Sequence, residues 1–253
     1  MVTNFTKIAV GLRSDHMHSG TLDAAANLSK VFQCSLHLIC FDDNCSVYEQ
    51  MITEKAKSGS VHFEVERRSN ESVKEIVKAA KELEAELLIV PSDKKTQSIV
   101  NDMEIPVLSV KDDFNPRPIK KIVMPLHDKP DTRQKIPMGA EIAKHFNAEI
   151  FFVVVTGKGN EEQNRLNSYA EQAVDWCEKK FVKAQYEMVV GSKVDEETIK
   201  YATKIEADLI IIMNDRDISF FSMQLSEKII RNSPIPVLTV EPKEIGARTM
   251  ARL

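Results

Sequence analysis

The hexapeptide Ile105-Pro106-Val107-Leu108-Ser109-Val110 returns as Ile235-Pro236-Val237-Leu238-Thr239-Val240, and it closes two copies of one module. Lys7-Ile8-Ala9-Val10-Gly11-Leu12 matches Lys121-Ile122-Val123-Met124-Pro125-Leu126 at a shift of 114. The same shift carries Leu36–Phe41 onto Ile150–Val155. Glu84–Val90 then matches Glu206–Ile212 at a shift of 122, and the closing hexapeptides match at 130. The second copy therefore carries two insertions of eight residues each, with the order of elements unchanged. A chain of 253 residues divides on this repeat into two domains, each long enough to bury its own core. The expected limits are 1–113 and 119–242, with a tail at 243–253.

Each copy reads as strand and helix in alternation, ending on a fifth strand. Ile8–Leu12 and Leu87–Val90 are short apolar runs of the kind buried on both faces. Val61–Glu66 alternates apolar and charged residues, as an edge strand does. Ser72 and Glu75 form a capping box ahead of Val73, Ile76, Val77 and Ala80. In copy two the first insertion lengthens a helix at about 161–181. Leu166, Tyr169, Ala170, Ala173, Trp176, Cys177 and Phe181 form its apolar stripe. Strands alternating with helices predict an α/β fold: two tandem doubly wound domains, each a five-stranded parallel sheet of order 3-2-1-4-5 with helices on both faces. Ligands of such sheets bind beyond the carboxyl ends of strands one and four, where the strand order reverses. Residues 13–20 with 91–96, and 127–132 with 213–218, are the segments placed there.

Bulk properties exclude some classes. The formal charge is −4 and basic residues form no long run, which argues against nucleic acid as the main partner. No apolar run approaches the roughly 20 residues of a membrane span, and the first residues carry no leader-like pattern. The four cysteines, Cys34, Cys40, Cys45 and Cys177, show no metal-type spacing and read as reduced, mostly buried thiols of a cytoplasmic protein.

The strand pattern, the small-residue first helix, the Glu-Ala-[Asp/Glu] approach to strand four and the Pro-Val-Leu-[Ser/Thr]-Val ending together resemble the universal stress protein family. The resemblance covers both copies. It implies a stress-response role without catalysis, and pairing through the last strands, so Val107–Val110 and Val237–Val240 are expected to pair antiparallel within the chain. Two such chains can still associate as a homodimer, and a protein partner is left unidentified by the sequence. Nucleotide-binding members carry G-x2-G-x9-G-[S/T] after strand four, where glycines let backbone N–H groups approach phosphate. Neither copy keeps it. Met223 and Gln224 stand where the Gly-Ser pair falls, Asp215 and Asp217 add negative charge, and Arg13 and His127 replace the Asp after strand one. Neither copy is expected to bind ATP by that mode, and no cofactor is implied.

Ligand-binding candidates are Arg13, Asp15, Lys94, Lys95, His127 and Asn214; His16 and His18 are metal candidates. Two residues apart, the histidines face one ion only in an extended or loop conformation, and zinc wants one or two further ligands. Two other readings stay open. One is a small-ligand or nucleotide sensor with an altered crevice. The other is a weak hydrolase or transferase using Asp15, His16 and His18.

Overall fold

The computed structural model describes residues 5–41, 45–56, 61–127, 133–157, 160–214 and 225–242. Within these, the chain forms two compact units. The first holds residues 5–117 and 236–239, and the second holds 118–235 and 240–242.

The first unit contains β1 (Lys7–Gly11), α1 (Ser19–Phe32), β2 (Ser35–Phe41), α2 (Cys45–Ala56), β3 (Phe63–Arg68), α3 (Val73–Glu82), β4 (Leu87–Pro91), α4 (Thr96–Asp102) and β5 (Val107–Val110). Its strand order is β3-β2-β1-β4-β5. β1 pairs parallel with β2 and β4, β2 with β3, and β4 with β5. Helices cover both faces, so Ile8, Ala9 and Val10 of β1 and Leu88, Ile89 and Val90 of β4 have no solvent exposure. At the outer edge, β3 mixes half-buried and exposed residues, and it runs two residues later than the alternation suggests. Val61 is buried ahead of the strand. The strand instead extends to Arg68, whose guanidinium reaches Glu66, Glu75 and Glu82.

The second unit contains β6 (Lys121–Leu126), α5 (Lys135–Phe146), β7 (Glu149–Thr156), α6 (Asn160–Lys179), β8 (Ala184–Val190), α7 (Val194–Lys204), β9 (Leu209–Met213) and α8 (Leu225–Asn232). β6 pairs parallel with β7 and β9, and β7 with β8. β10 (Val237–Val240) is the closing strand of the repeat. Residues 237–239 belong to the first unit, where they lie antiparallel on β5 with Val237 opposite Ser109 and Leu238 opposite Leu108.

The duplication extends to backbone dihedrals. α1 ends on Gln33 at φ 52° and α5 on Asn147 at φ 49°, both left-handed and 114 positions apart. Glu84 and Glu206 repeat the conformation ahead of β4 and β9, at φ 51° and 55°. Left-handed residues are uncommon outside glycine, so their recurrence reflects matching helix-terminating geometry.

Two expectations are corrected. Phe181 is not part of the α6 stripe: the helix ends at Lys179, Phe181 turns left-handed at φ 61°, and it is 97% exposed. The cysteines are not all thiols: Cys40 at the end of β2 and Cys45 at the start of α2 form a disulfide, while Cys34 and Cys177 are free and buried. Their separation of five matches no redox or metal spacing. The end of β2 and the start of α2 bring the two Cα atoms to 5.5 Å.

Candidate functional site

In the first unit, the carboxyl ends of β1 and β4 lead into residues 12–18 and 92–95. The chain places an arginine there. Arg13 is 1% exposed, and its guanidinium is held from several sides. Nε donates to Asp15 Oδ1 at 3.2 Å, Nη1 donates to Asp93 Oδ1 at 3.4 Å, and Nη2 contacts Asp93 Oδ2. Nη2 also lies 2.7 Å from His16 Nε2. An isolated buried cation is prohibitively costly, so its fixed carboxylates are what keep it in place.

Asp93 is itself fixed. Its Oδ1 accepts from the backbone N–H groups of Lys95 at 2.8 Å and Thr96 at 3.1 Å, just ahead of α4. Its own N–H donates to Thr96 Oγ1 at 2.9 Å, which gives a reciprocal turn. Burial alone would raise the pKa of the Asp93 carboxyl. The hydrogen bonds from His16 and Arg13 and the Arg13 charge prevail and hold it well below the ordinary range.

His16 bridges three segments. Nε2 lies 3.2 Å from Asp93 Oδ2, and Nδ1 lies 2.8 Å from Asp112 Oδ2, just past β5. The hydrogen bond to Asp93 raises its pKa, burial opposes the rise, and Asp112 adds to it, leaving the ring above its ordinary value. Asp15, at the mouth, accepts from Lys95 Nζ at 3.0 Å. Burial raises the Asp15 pKa, but the bond to Lys95 and the charge of Arg13 outweigh it and lower the carboxyl overall.

His18 faces elsewhere. It is fully buried, in the left-handed conformation at the start of α1. Its Nε2 lies 2.8 Å from the Arg13 N–H and 2.5 Å from the Arg13 carbonyl, and its ring meets Tyr48 of α2 edge-on at 5.0 Å. Burial pushes its pKa down to about 4, so the ring is neutral at physiological pH. His16 and His18 therefore do not present their nitrogens to one point. The atoms that do converge belong to Asp15, His16 and Asp93, within 4.8 Å of one another, and the Arg13 guanidinium already sits among them. Charge and hydrogen-bond geometry thus suit a resident guanidinium, and a second cation would be repelled by it.

Lys94 is exposed at the lip. In the second unit, Asn214 follows β9 and is buried; its N–H donates to the Val240 carbonyl at 2.8 Å and its Nδ2 to Glu241 Oε2 at 2.9 Å. His127 follows β6 and is half-buried. Asp215, Asp217, Met223 and Gln224 lie outside the described residues. Residue-type reasoning passed over Asp93, Asp112 and Glu71, although Glu71 accepts from both the N–H and the hydroxyl of Ser14 at 3.0 and 2.6 Å. The available signal was Asp93-x-x-Thr96 opening a helix directly after a buried strand.

No helix among the described residues is long and apolar enough to cross a membrane. No curated protein matches the chain. Residues 118–241 match the model of the universal stress protein family. Three solved structures share the whole architecture. One is a functionally unknown protein from Pseudomonas aeruginosa PAO1, with a TM-score of 0.74 and 16% identity, covering 98% of this chain and 96% of that one. Another is a putative universal stress protein from Pseudomonas aeruginosa UCBPP-PA14, also at 0.74 and 16%, covering 98% and 97%. The third is a universal stress protein from Archaeoglobus fulgidus DSM 4304, at 0.69 and 15%, covering 93% and 97%. The second copy thus matches the universal stress protein family directly, and the fold of that copy is built twice along the chain.

Proposed function

We propose that the protein is a non-catalytic, cytoplasmic stress-response binding or regulatory protein, with domains at 1–113 and 119–242, whose crevices do not take ATP by the glycine-loop mode. The observation that carries this reading is the buried Arg13 locked onto Asp93. The guanidinium and the carboxylates paired with it occupy the place where a nucleoside would have to enter. Lack of catalysis is supported by the state of the two histidines. His16 is committed to two carboxylates and His18 to the Arg13 backbone, so neither ring is placed as a general base with a nucleophile in reach. Pairing of β10 on β5 covers the edge by which a further copy of the first unit would add. Isothermal titration with Mg-ATP tests the reading. No saturable heat is expected at micromolar protein, and micromolar affinity overturns it.

A further inference from the structure

The second unit carries a cleft between two of its helices. It lies between the first turn of α5 and the middle of α6 as a shallow, solvent-open groove lined by Arg133, Ile136, Tyr169, Gln172, Ala173 and Trp176. Ile136 and Ala173 form an apolar floor, and Tyr169 and Trp176 stand as aromatic walls. Arg133 closes one side with its guanidinium carbon 4.0 Å from the centre of the Tyr169 ring. Stacking on an aromatic face fixes the plane of a guanidinium and leaves its N–H edge free to donate. The polar contact recorded for that edge is Gln172 Oε1 at 3.4 Å. Among the described residues, no carboxylate lies within 4.0 Å of Arg133. The first unit differs at the matching place. There Asp23, the repeat equivalent of Pro137, takes an ion pair from Lys55, which ties α1 directly to α2.

We propose that this cleft is a binding site for a small planar aromatic carboxylate. The body of such a ligand would lie on Ile136 and Ala173 between the aromatic walls. Its carboxylate would take the N–H edge of Arg133, a geometry suited to paired charge-assisted hydrogen bonds. A cation is disfavoured by Arg133 itself, and by Lys180, whose ammonium stands 5.7 Å from the Trp176 ring centre. The site is separate from the Arg13 crevice, so its fate does not depend on the reading of nucleotide binding.

Trp176 is the chain's one tryptophan, so intrinsic fluorescence reports on the cleft wall directly. The full-length protein is titrated with benzoate, and in parallel with benzamide and benzamidine, which keep the ring and change the charge. The expected result is a saturable change with benzoate at millimolar affinity, as suits so small a ligand, and binding at least tenfold weaker for the other two. Arg133→Gln is expected to remove the preference for benzoate without altering the melting temperature. Two results overturn the proposal: no saturable change with benzoate, or equal affinity for benzoate and benzamide in the unmodified protein. Retention of the benzoate preference in Arg133→Gln overturns it as well. The charge comparison needs no variant, so it decides the matter even where a substitution perturbs folding.

Discussion

A guanidinium taken out of water needs fixed anions beside it, and Arg13 has Asp93 and Asp15. Removing it leaves those carboxylates partly buried and unpaired. Arg13→Ala is therefore expected to destabilise the protein by about 3–5 kcal/mol, the cost of breaking a buried pair by removing one partner. Urea denaturation checks this, and a loss of less than about 1 kcal/mol would place the pair among surface bridges of little worth. The histidines give a pH signature of opposite signs. The folded pKa of His18 is pushed down to about 4, so as pH falls from about 6.5 the unfolded chain takes a proton that the folded ring refuses, and stability is lost across that window. The folded pKa of His16 is raised, so its contribution is complete below about 6.5 and fades as pH rises through the folded value. Ring resonances followed by NMR should show the two midpoints on opposite sides of the ordinary value. A shared midpoint near it would refute this account of both rings. Sequence alone identified Arg13 as a departure from an acidic position. It did not reveal that the residue fills the crevice, because its partner Asp93 lies 80 residues away and only the β1–β4 register brings the two together.

Secondary structure was legible wherever local chemistry decides it. Ser72 Oγ accepts from the Glu75 N–H at 3.1 Å, as the capping box implies. Ser72→Ala should cost about 1 kcal/mol, measurable as a shift in urea midpoint with unchanged slope. Limits were less legible where tertiary contacts decide. β3 extends to Arg68, whose guanidinium is received by Glu66 of the strand itself and by Glu75 and Glu82 of α3. Phe181 leaves the α6 stripe because the helix has already turned at Lys180. The Cys40–Cys45 bond belongs to the same class, since it depends on the end of β2 lying beside the start of α2. Burial pushes the free thiols up, Cys34 to about 11 and Cys177 to about 12, so neither should react in the native protein. Alkylation in denaturant, followed by intact mass, should label two cysteines without reductant and four with it. Four labels without reductant would rule the disulfide out.

At the scale of the whole chain, the duplication was the most legible property, because it repeats strand cores, helix ends and left-handed turns alike. Less legible was the composition of the first unit, which takes residues 236–239 from the end of the second copy. β5 is four residues long, is buried throughout, and meets β10 with Ser109 Oγ donating to the Val237 carbonyl at 3.2 Å. Without β10, that edge presents unpaired N–H and C=O groups along a mostly apolar strand, the arrangement that recruits another strand. A fragment of residues 1–117 retains every other strand of the unit and lacks this one. It is expected to self-associate in a concentration-dependent way in sedimentation experiments. Ser109→Pro, which removes a donor from the edge, should weaken that association. The full chain carries the covering strand in its own sequence, so Ser109→Pro there should lower stability without changing oligomeric state. A fragment that stays monomeric and folded would mean that β10 adds little to the first unit. The closing hexapeptide would then be kept in both copies for its place in each core, rather than for the strand it covers.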